Sequence, residues 1–168
     1  MSAPSGRAVR PTPSRVKEAL FSILGSRIAD ARILDLFAGS GALGFEALSR
    51  GAARVTFVES HRQTAAALMR TARDLGVAER CTVVAAAAER VVARLLGPYD
   101  IVFADPPYAL PYPAAIFARL RDAGALDPSC LVVYEHSAAA AAPVDPRFEL
   151  RRTAVYGAVA LSFLAAAA

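Results

Sequence analysis

Lysine is nearly missing from this chain: Lys17 stands alone, so 18 of the 19 basic residues are arginine. Cysteine is scarce as well. Cys81 and Cys130 lie far apart, with no C-x-x-C spacing and no Cys/His cluster around them. That excludes a disulfide scaffold and a zinc module, and it predicts two reduced, buried thiols and no metal site. No apolar stretch approaches the roughly 20 uncharged residues that a membrane helix needs. The opening MSAPSGRAVR has no apolar core of a secretory signal. These absences point to a cytoplasmic protein. There is no internal repeat, and the alanine runs at 85–88, 138–142 and 165–168 carry no recognisable chemistry.

What is present is a core-forming composition, 55% hydrophobic over 168 residues with a net charge of +4. That length supports one domain with a sizeable core. The positive balance is what a nucleic-acid binder shows, although an arginine-rich composition alone produces the same excess. Residues 1–11 read as an extended basic segment, and residues 12–168 as a single domain. A first helix is expected from Thr12, with Pro13 at a position where its missing N–H costs nothing. Val16, Ala19, Leu20, Ile23 and Leu24 form one buried stripe, and Gly25 is placed to end it.

Beyond it, short apolar runs alternate with amphipathic stretches. Strands are predicted at 33–37, 55–59, 82–85, 101–104 and 131–135, and helices at 42–50, 62–75, 87–96 and 113–123. Strands apolar throughout and separated by helices imply a parallel sheet covered on both faces. Two last strands, 148–155 and 159–164, flank Tyr156-Gly157 with no room for a helix, so they should form an antiparallel hairpin at a sheet edge. The expected fold is α/β: a seven-stranded, mostly parallel, Rossmann-like sheet closed by a C-terminal antiparallel β-hairpin, with helices on both faces.

The first predicted strand runs into Asp35-Leu36-Phe37-Ala38-Gly39-Ser40-Gly41, and Gly44 completes a G-x-G-x-x-G spacing. Glycines let a cofactor approach the backbone where the chain turns from strand to helix. Glu59 ends the next strand, where a carboxylate can accept from both hydroxyls of a ribose. The two features call for an adenosine-bearing cofactor. Asp35 then favours one kind. A nicotinamide dinucleotide places a pyrophosphate at this turn, which an acid repels, whereas S-adenosylmethionine brings a sulfonium and an ammonium. The D-x-F-x-G-x-G string resembles the first motif of class I methyltransferases. That resemblance assigns Asp35, Phe37, Gly39, Gly41 and Glu59 to the cofactor.

Asp105-Pro106-Pro107-Tyr108 follows the fourth predicted strand, at the edge where open α/β sheets bind ligands. Two prolines stiffen the turn and donate nothing. The Asp105 carboxylate and the Pro106 carbonyl are therefore acceptors, suited to the two N–H bonds of an exocyclic amine. They would stabilise the positive charge that develops on that nitrogen as it attacks a methyl group. Tyr108 offers a flat face for an extruded base. The string resembles the [DNS]-P-P-[FYW] motif of amino-methyltransferases.

Three segments in order, RPTPSRVKEALFSIL from Arg10, LDLFAGSGALGFEALSRGA from Leu34 and FADPPY from Phe103, resemble the bacterial RsmD family. That family makes N2-methylguanine in 16S ribosomal RNA. The resemblance implies S-adenosylmethionine as cofactor and 16S rRNA, or the assembling small subunit, as partner. It implies Asp105, Pro106 and Tyr108 at the guanine, contacts from Arg10, Arg15 and Lys17 to RNA phosphate, and a protein working as a monomer away from membranes. Members usually carry a basic, glycine-rich hairpin ahead of R-P-T, and this chain starts almost at that motif, so either its start is trimmed or its RNA contact is reduced. Where many members place Asp or Asn to meet the adenine, Ala85 to Ala88 stand, leaving Glu89 or backbone groups. The competing readings are a DNA adenine methyltransferase, a nicotinamide oxidoreductase and a non-catalytic RNA-binding module. The first lacks length for a target-recognition domain, Asp35 disfavours the second, and the intact DPPY string disfavours the third.

Overall fold

A computed structural model describes residues 14–107 and 110–167. Thr12, Pro13 and the basic segment before them lie outside the described residues. Helix α1 (Ser14–Leu24) buries Val16, Leu20, Phe21 and Leu24, one stripe on a 3.6-residue period. Gly25 ends it at φ +53°, and the chain tightens into a 3₁₀ turn, Gly25–Ile28. An alternating series follows: β1 (Arg32–Leu36), α2 (Ala42–Ser49), β2 (Arg54–Glu59), α3 (Arg62–Asp74), β3 (Cys81–Ala85), α4 (Ala88–Val91), β4 (Tyr99–Ala104), α5 (Ala114–Asp122) and β5 (Leu126–Ser137). The chain closes with β6 (Phe148–Tyr156) and β7 (Val159–Ala166).

These seven strands make one sheet in the order β3-β2-β1-β4-β5-β7-β6. The first five are parallel; β7 runs antiparallel between β5 and β6. The fold expected from the sequence is therefore the one observed, hairpin included. From β1 the chain steps outward to β2 and β3, then crosses back to β4. The crevice beyond the C-terminal ends of β1 and β4 is the switch point of the sheet, where such folds bind ligands.

Side chains alternate along the parallel strands and supply two core layers. Ile33, Val55, Phe57, Ile101, Phe103 and Val133 join the layer under α1, α2 and α3. Leu34, Leu36, Val58, Val102, Ala104 and Val132 join the layer under α4 and α5. Burial on both faces is why these strands read as continuous apolar runs. Phe21 of α1 meets Phe103 of β4 edge to face, with ring centroids 5.9 Å apart. Cys81 and Cys130 are both buried and free. Burial pushes the Cys130 thiol up to about 12, so it stays protonated at neutral pH. Among the described residues no helix is long and apolar enough to cross a membrane.

Two expectations need correction. The helix expected over 87–96 is one turn, α4, followed by a 3₁₀ turn Val92–Arg94. The adjacent β-branched Val91 and Val92 are poor helix formers, and the chain must descend to β4, where a Cβ on Gly97 would sit 2.2 Å from the Ala125 carbonyl. Phe37, expected inside the first strand, lies just past β1 at φ +56°. A bulky residue in the left-handed region is a local strain of the kind that collects at ligand turns.

Candidate active site

Asp35 lies four residues before Gly39, on the α1-facing side of β1, and only 4% of it is exposed. Its Oδ2 accepts from the Gly44 N–H at 3.2 Å, which ties the end of β1 to the first turn of α2. Burial raises the Asp35 carboxyl well above the usual range. The Gly44 hydrogen bond works against that, and the nearby charges of Asp105 and Glu59 add to it. Three carboxylates from β1, β2 and the end of β4 thus share one field. Such a cluster attracts a cation and repels a pyrophosphate. Among the described residues no group of three or more His, Cys, Asp or Glu side chains is placed to hold a metal ion.

Glu59 is held at both oxygens. Its Oε1 accepts from the Gly39 N–H at 2.9 Å and its Oε2 from the His61 N–H at 2.8 Å. Each carboxylate oxygen keeps a further lone pair for a ligand hydroxyl. His61 caps α3, accepting at Nδ1 from the Thr64 N–H at 3.3 Å. The sequence reading missed His61. Its signal was the position two residues after Glu59 and three before Thr64, directly ahead of a helical pattern.

The three glycines divide their work. At Gly39, φ is +57° and a Cβ would meet nothing within 4 Å, so the backbone lies open towards the crevice. At Gly41, φ is +78° and a Cβ would come 2.6 Å from Leu68. At Gly44 a Cβ would strike the Phe57 ring at 2.3 Å, so this glycine lets α2 lie directly on β2. Of the three, only Gly39 has open space in its Cβ direction.

Asp105 follows β4 and is half-buried, Pro106 is buried and Pro107 exposed. Tyr108 lies outside the described residues. A cavity of about 180 Å³ adjoins this turn, with Pro106, Pro107 and Tyr112 on one side and Tyr134, Glu135 and His136 of β5 on the other. Tyr134 and His136 stack at 5.0 Å. The His136 Nδ1 lies 2.9 Å from the Ser137 carbonyl and its Nε2 2.7 Å from the Ser162 hydroxyl. A ring donating at Nδ1 accepts that hydroxyl at Nε2, which leaves Ser162 to accept from Thr153 at 3.1 Å. Glu135 and His136 are a second omission of the sequence reading. The signal was two ionisable residues closing an apolar strand at the ligand edge.

The basic residues scatter. Arg10 lies outside the described residues. Arg15 is exposed on the first turn of α1. Lys17 is paired with Glu46 at 3.3 Å, and the same carboxylate holds Arg50 at 2.9 Å. Five further arginines donate to backbone carbonyls: Arg27 to Ser129, Arg32 to Leu96 and Gly97, Arg80 to Leu48 and Ala52, Arg119 to Glu89, and Arg121 to Ala167. The first three of these lie around the N-terminal ends of the strands, away from the crevice. Part of the arginine excess therefore caps loops, and net charge alone overstates the surface left for a polyanion. A direct comparison checks this. Arg15→Ala should reduce the salt slope of RNA binding by roughly 0.7–0.9, the share of one phosphate contact. Lys17→Ala should reduce it less, because Glu46 already holds that charge. Equal slopes for both variants and the wild type would assign neither residue to phosphate.

Comparison with known proteins follows the same lines. The family model described as conserved hypothetical protein 95 matches residues 1–165. Ribosomal RNA small subunit methyltransferase D of Escherichia coli strain K12 is 38% identical over 161 residues, spanning 95% of this chain and 81% of that protein. Putative rRNA methyltransferase YlbH of Bacillus subtilis is 32% identical over 139 residues, spanning 81% of this chain and 76% of that one. The solved structure of putative methyltransferase yhhF from Escherichia coli superposes with a TM-score of 0.85 at 37% identity, covering 99% of this chain and 91% of the other.

Proposed function

This chain belongs to the family described as conserved hypothetical protein 95, and we propose that it methylates the N2 amine of a guanine in 16S ribosomal RNA, with S-adenosylmethionine as methyl donor. The observation that carries the reading is the placement of Asp35, Glu59 and Asp105 at the C-terminal ends of β1, β2 and β4, around the switch point. The first two acids serve the donor and the third serves the acceptor amine.

The residues present fit that donor. Glu59, fixed by the Gly39 and His61 N–H groups, is oriented to accept from the ribose hydroxyls. The open space above Gly39 admits a close ligand. The buried Asp35 is a counter-charge for a cation. When bound, S-adenosylmethionine supplies an electrophilic methyl group. Everything else falls to the chain. Asp105 and the Pro106 carbonyl accept the two N–H bonds of the amine, draw its lone pair out of the ring, and offset the positive charge as it forms. Holding donor and acceptor in line supplies a further large share of the rate. The Tyr108 ring is assigned to stack on the extruded base. Arg10, Arg15 and Lys17 are the residues assigned to phosphate, with Arg15 the better placed of the described pair. The relatives named as ribosomal RNA methyltransferases support rRNA as substrate, and the reading places the protein in the cytoplasm.

The test is direct. The protein is incubated with labelled S-adenosylmethionine and either small ribosomal subunits or naked 16S rRNA from a strain lacking this methylation. Nucleoside analysis should then find N2-methylguanosine. Label appearing in N6-methyladenosine instead would overturn the guanine assignment. The Glu59 assignment has its own check. Glu59→Ala should weaken cofactor binding by about 1.5–3 kcal/mol, the range for hydrogen bonds to a charged group. Unchanged affinity by calorimetry would remove Glu59 from the ribose.

A further inference from the structure

Glu135 is a buried acid that the reaction as written does not use. It is 3% exposed, near the end of β5, and it lines the cavity beside Pro106. Keeping a carboxylate out of water is expensive, and an apolar side chain would fill the same strand position at less cost. The sheet register shows what it stands beside. Phe103 of β4 is level with Val133 of β5, and Ala104 with Tyr134. Carried one residue further, Asp105 comes abreast of Glu135. Strand alternation sets the face. Phe103, Val133 and Leu161 all belong to the core layer under α1, and Glu135 pairs with Leu161 across to β7. The β4–β5 register, extended one residue past the end of β4 at Ala104, therefore sets Asp105 beside Glu135 on one face.

Two acceptors side by side read one kind of base edge. Three bases carry an exocyclic amine. In adenine the atoms flanking N6 are acceptors, and in cytosine the ring nitrogen beside N4 is an acceptor. A second carboxylate next to the one holding the amine would face a lone pair in adenine, and a lone pair or a C–H in cytosine, but a donor in neither. Guanine alone sets a donor, N1–H, beside its amine N2. We propose that Glu135 is the specificity-determining residue for guanine: its carboxylate accepts from N1–H while Asp105 and Pro106 accept from N2. This rests on the reading of the protein as an amine methyltransferase and adds to it the atom that selects the base. The selection is one of attraction and repulsion together. A site built to bond a donor rejects an analogue that presents a lone pair, because the buried carboxylate then opposes it.

The experiment uses small subunits reconstituted with 16S rRNA carrying guanine or 2-aminopurine at the methylated position. 2-Aminopurine keeps the 2-amine but has a bare N1 lone pair and no 6-oxo group, so the change in preference between wild type and variant is what reads Glu135. The wild type should prefer guanine by about 100-fold or more in kcat/KM. Glu135→Gln presents an NH₂ that can donate to that lone pair, so its preference should shrink to under about 10-fold, with the guanine rate falling and the 2-aminopurine rate rising. A Glu135→Gln enzyme that keeps both the guanine rate and the wild-type preference overturns the inference. The preference is a ratio, so partial loss of folded enzyme does not move it. Should the variant not fold at all, the wild type still tests the inference: equal rates on the two bases overturn it. If the wild type forms no N2-methylguanosine, the proposed function itself fails, a result distinct from an unaltered preference.

Discussion

Replacing Asp105 by asparagine is expected to lower kcat by about 10²–10³-fold while leaving cofactor affinity nearly unchanged. The change is close to isosteric, so the half-buried turn after β4 should keep its shape. What is lost is charge and, in one rotamer, acceptor character. An asparagine can set its own NH₂ against the NH₂ of the base. In the ground state the cost should be small, because the proposed stacking and phosphate contacts would still hold the RNA. In the transition state the nitrogen becomes positive and the carboxylate that would offset it is gone. Losing one preorganised electrostatic group of this kind costs about 2.7–4 kcal/mol in other active sites. A loss in kcat, rather than in KM, is the signature of an interaction made mainly in the transition state. The measurement is single-turnover methyl transfer under saturating cofactor. Asp105→Asn transferring methyl at the wild-type rate would refute the mechanism, whatever the RNA affinity.

Much of this site was legible in the sequence because its parts are local. The D-x-F-x-G-x-G turn, Glu59 closing β2, and the DPPY string each lie within a few residues of a strand end. A parallel sheet aligns those ends by construction. The βα alternation and the final hairpin were readable for the same reason: periodicity and punctuation are local signals. What escaped depends on register or on distant partners. Glu135 gains meaning only from the β4–β5 register, which brings it beside the turn that carries Asp105, and that register is not written in either strand alone. His61 matters because its backbone N–H meets Glu59 across a tight turn. The split among the glycines also needed coordinates, since Gly44 is explained by Phe57, 13 positions on, and not by a ligand. The arginines were the least legible. Arg80 reaches the carbonyls of Leu48 and Ala52 from a different βα unit, and nothing in a charge count separates such a residue from one that meets phosphate. The short α4 was misjudged because an alanine-rich, apolar stretch reads as helix until the descent into β4 is imposed on it.

The second large effect is expected at Asp35, and it has opposite signs with and without cofactor. Burial, the main cause, lifts the Asp35 carboxyl in the folded protein well above the usual carboxylate range, and the charges of Asp105 and Glu59 lift it further. A pKa raised on folding means that the folded state holds the proton more tightly than the unfolded chain does. The associated stability is fully present below the ordinary carboxylate range and is lost as pH rises through the raised value. The ligand-free wild type should therefore lose stability across that window, and Asp35→Asn, which has no proton to lose, should not. Above the window the variant should melt higher than the wild type without cofactor. Its amide oxygen can still accept from the Gly44 N–H, so the tie between β1 and α2 survives. Cofactor reverses the order. A cationic ligand favours the ionised acid, so its affinity for the wild type should rise with pH through the same window, with a proton released on binding. The variant has no charge to offer. Removing one partner of a buried charge pair costs on the order of 3 kcal/mol, a loss of roughly a hundredfold in affinity. Saturating cofactor then stabilises the wild type by mass action far more than the variant, and the two melting curves should exchange places. Melting temperatures with and without S-adenosylmethionine at two pH values test the crossing, and calorimetry in two buffers of different ionisation enthalpy tests the proton. A variant that melts below the wild type in every condition would make Asp35 a structural residue, its carboxylate spent on the Gly44 N–H rather than on a ligand.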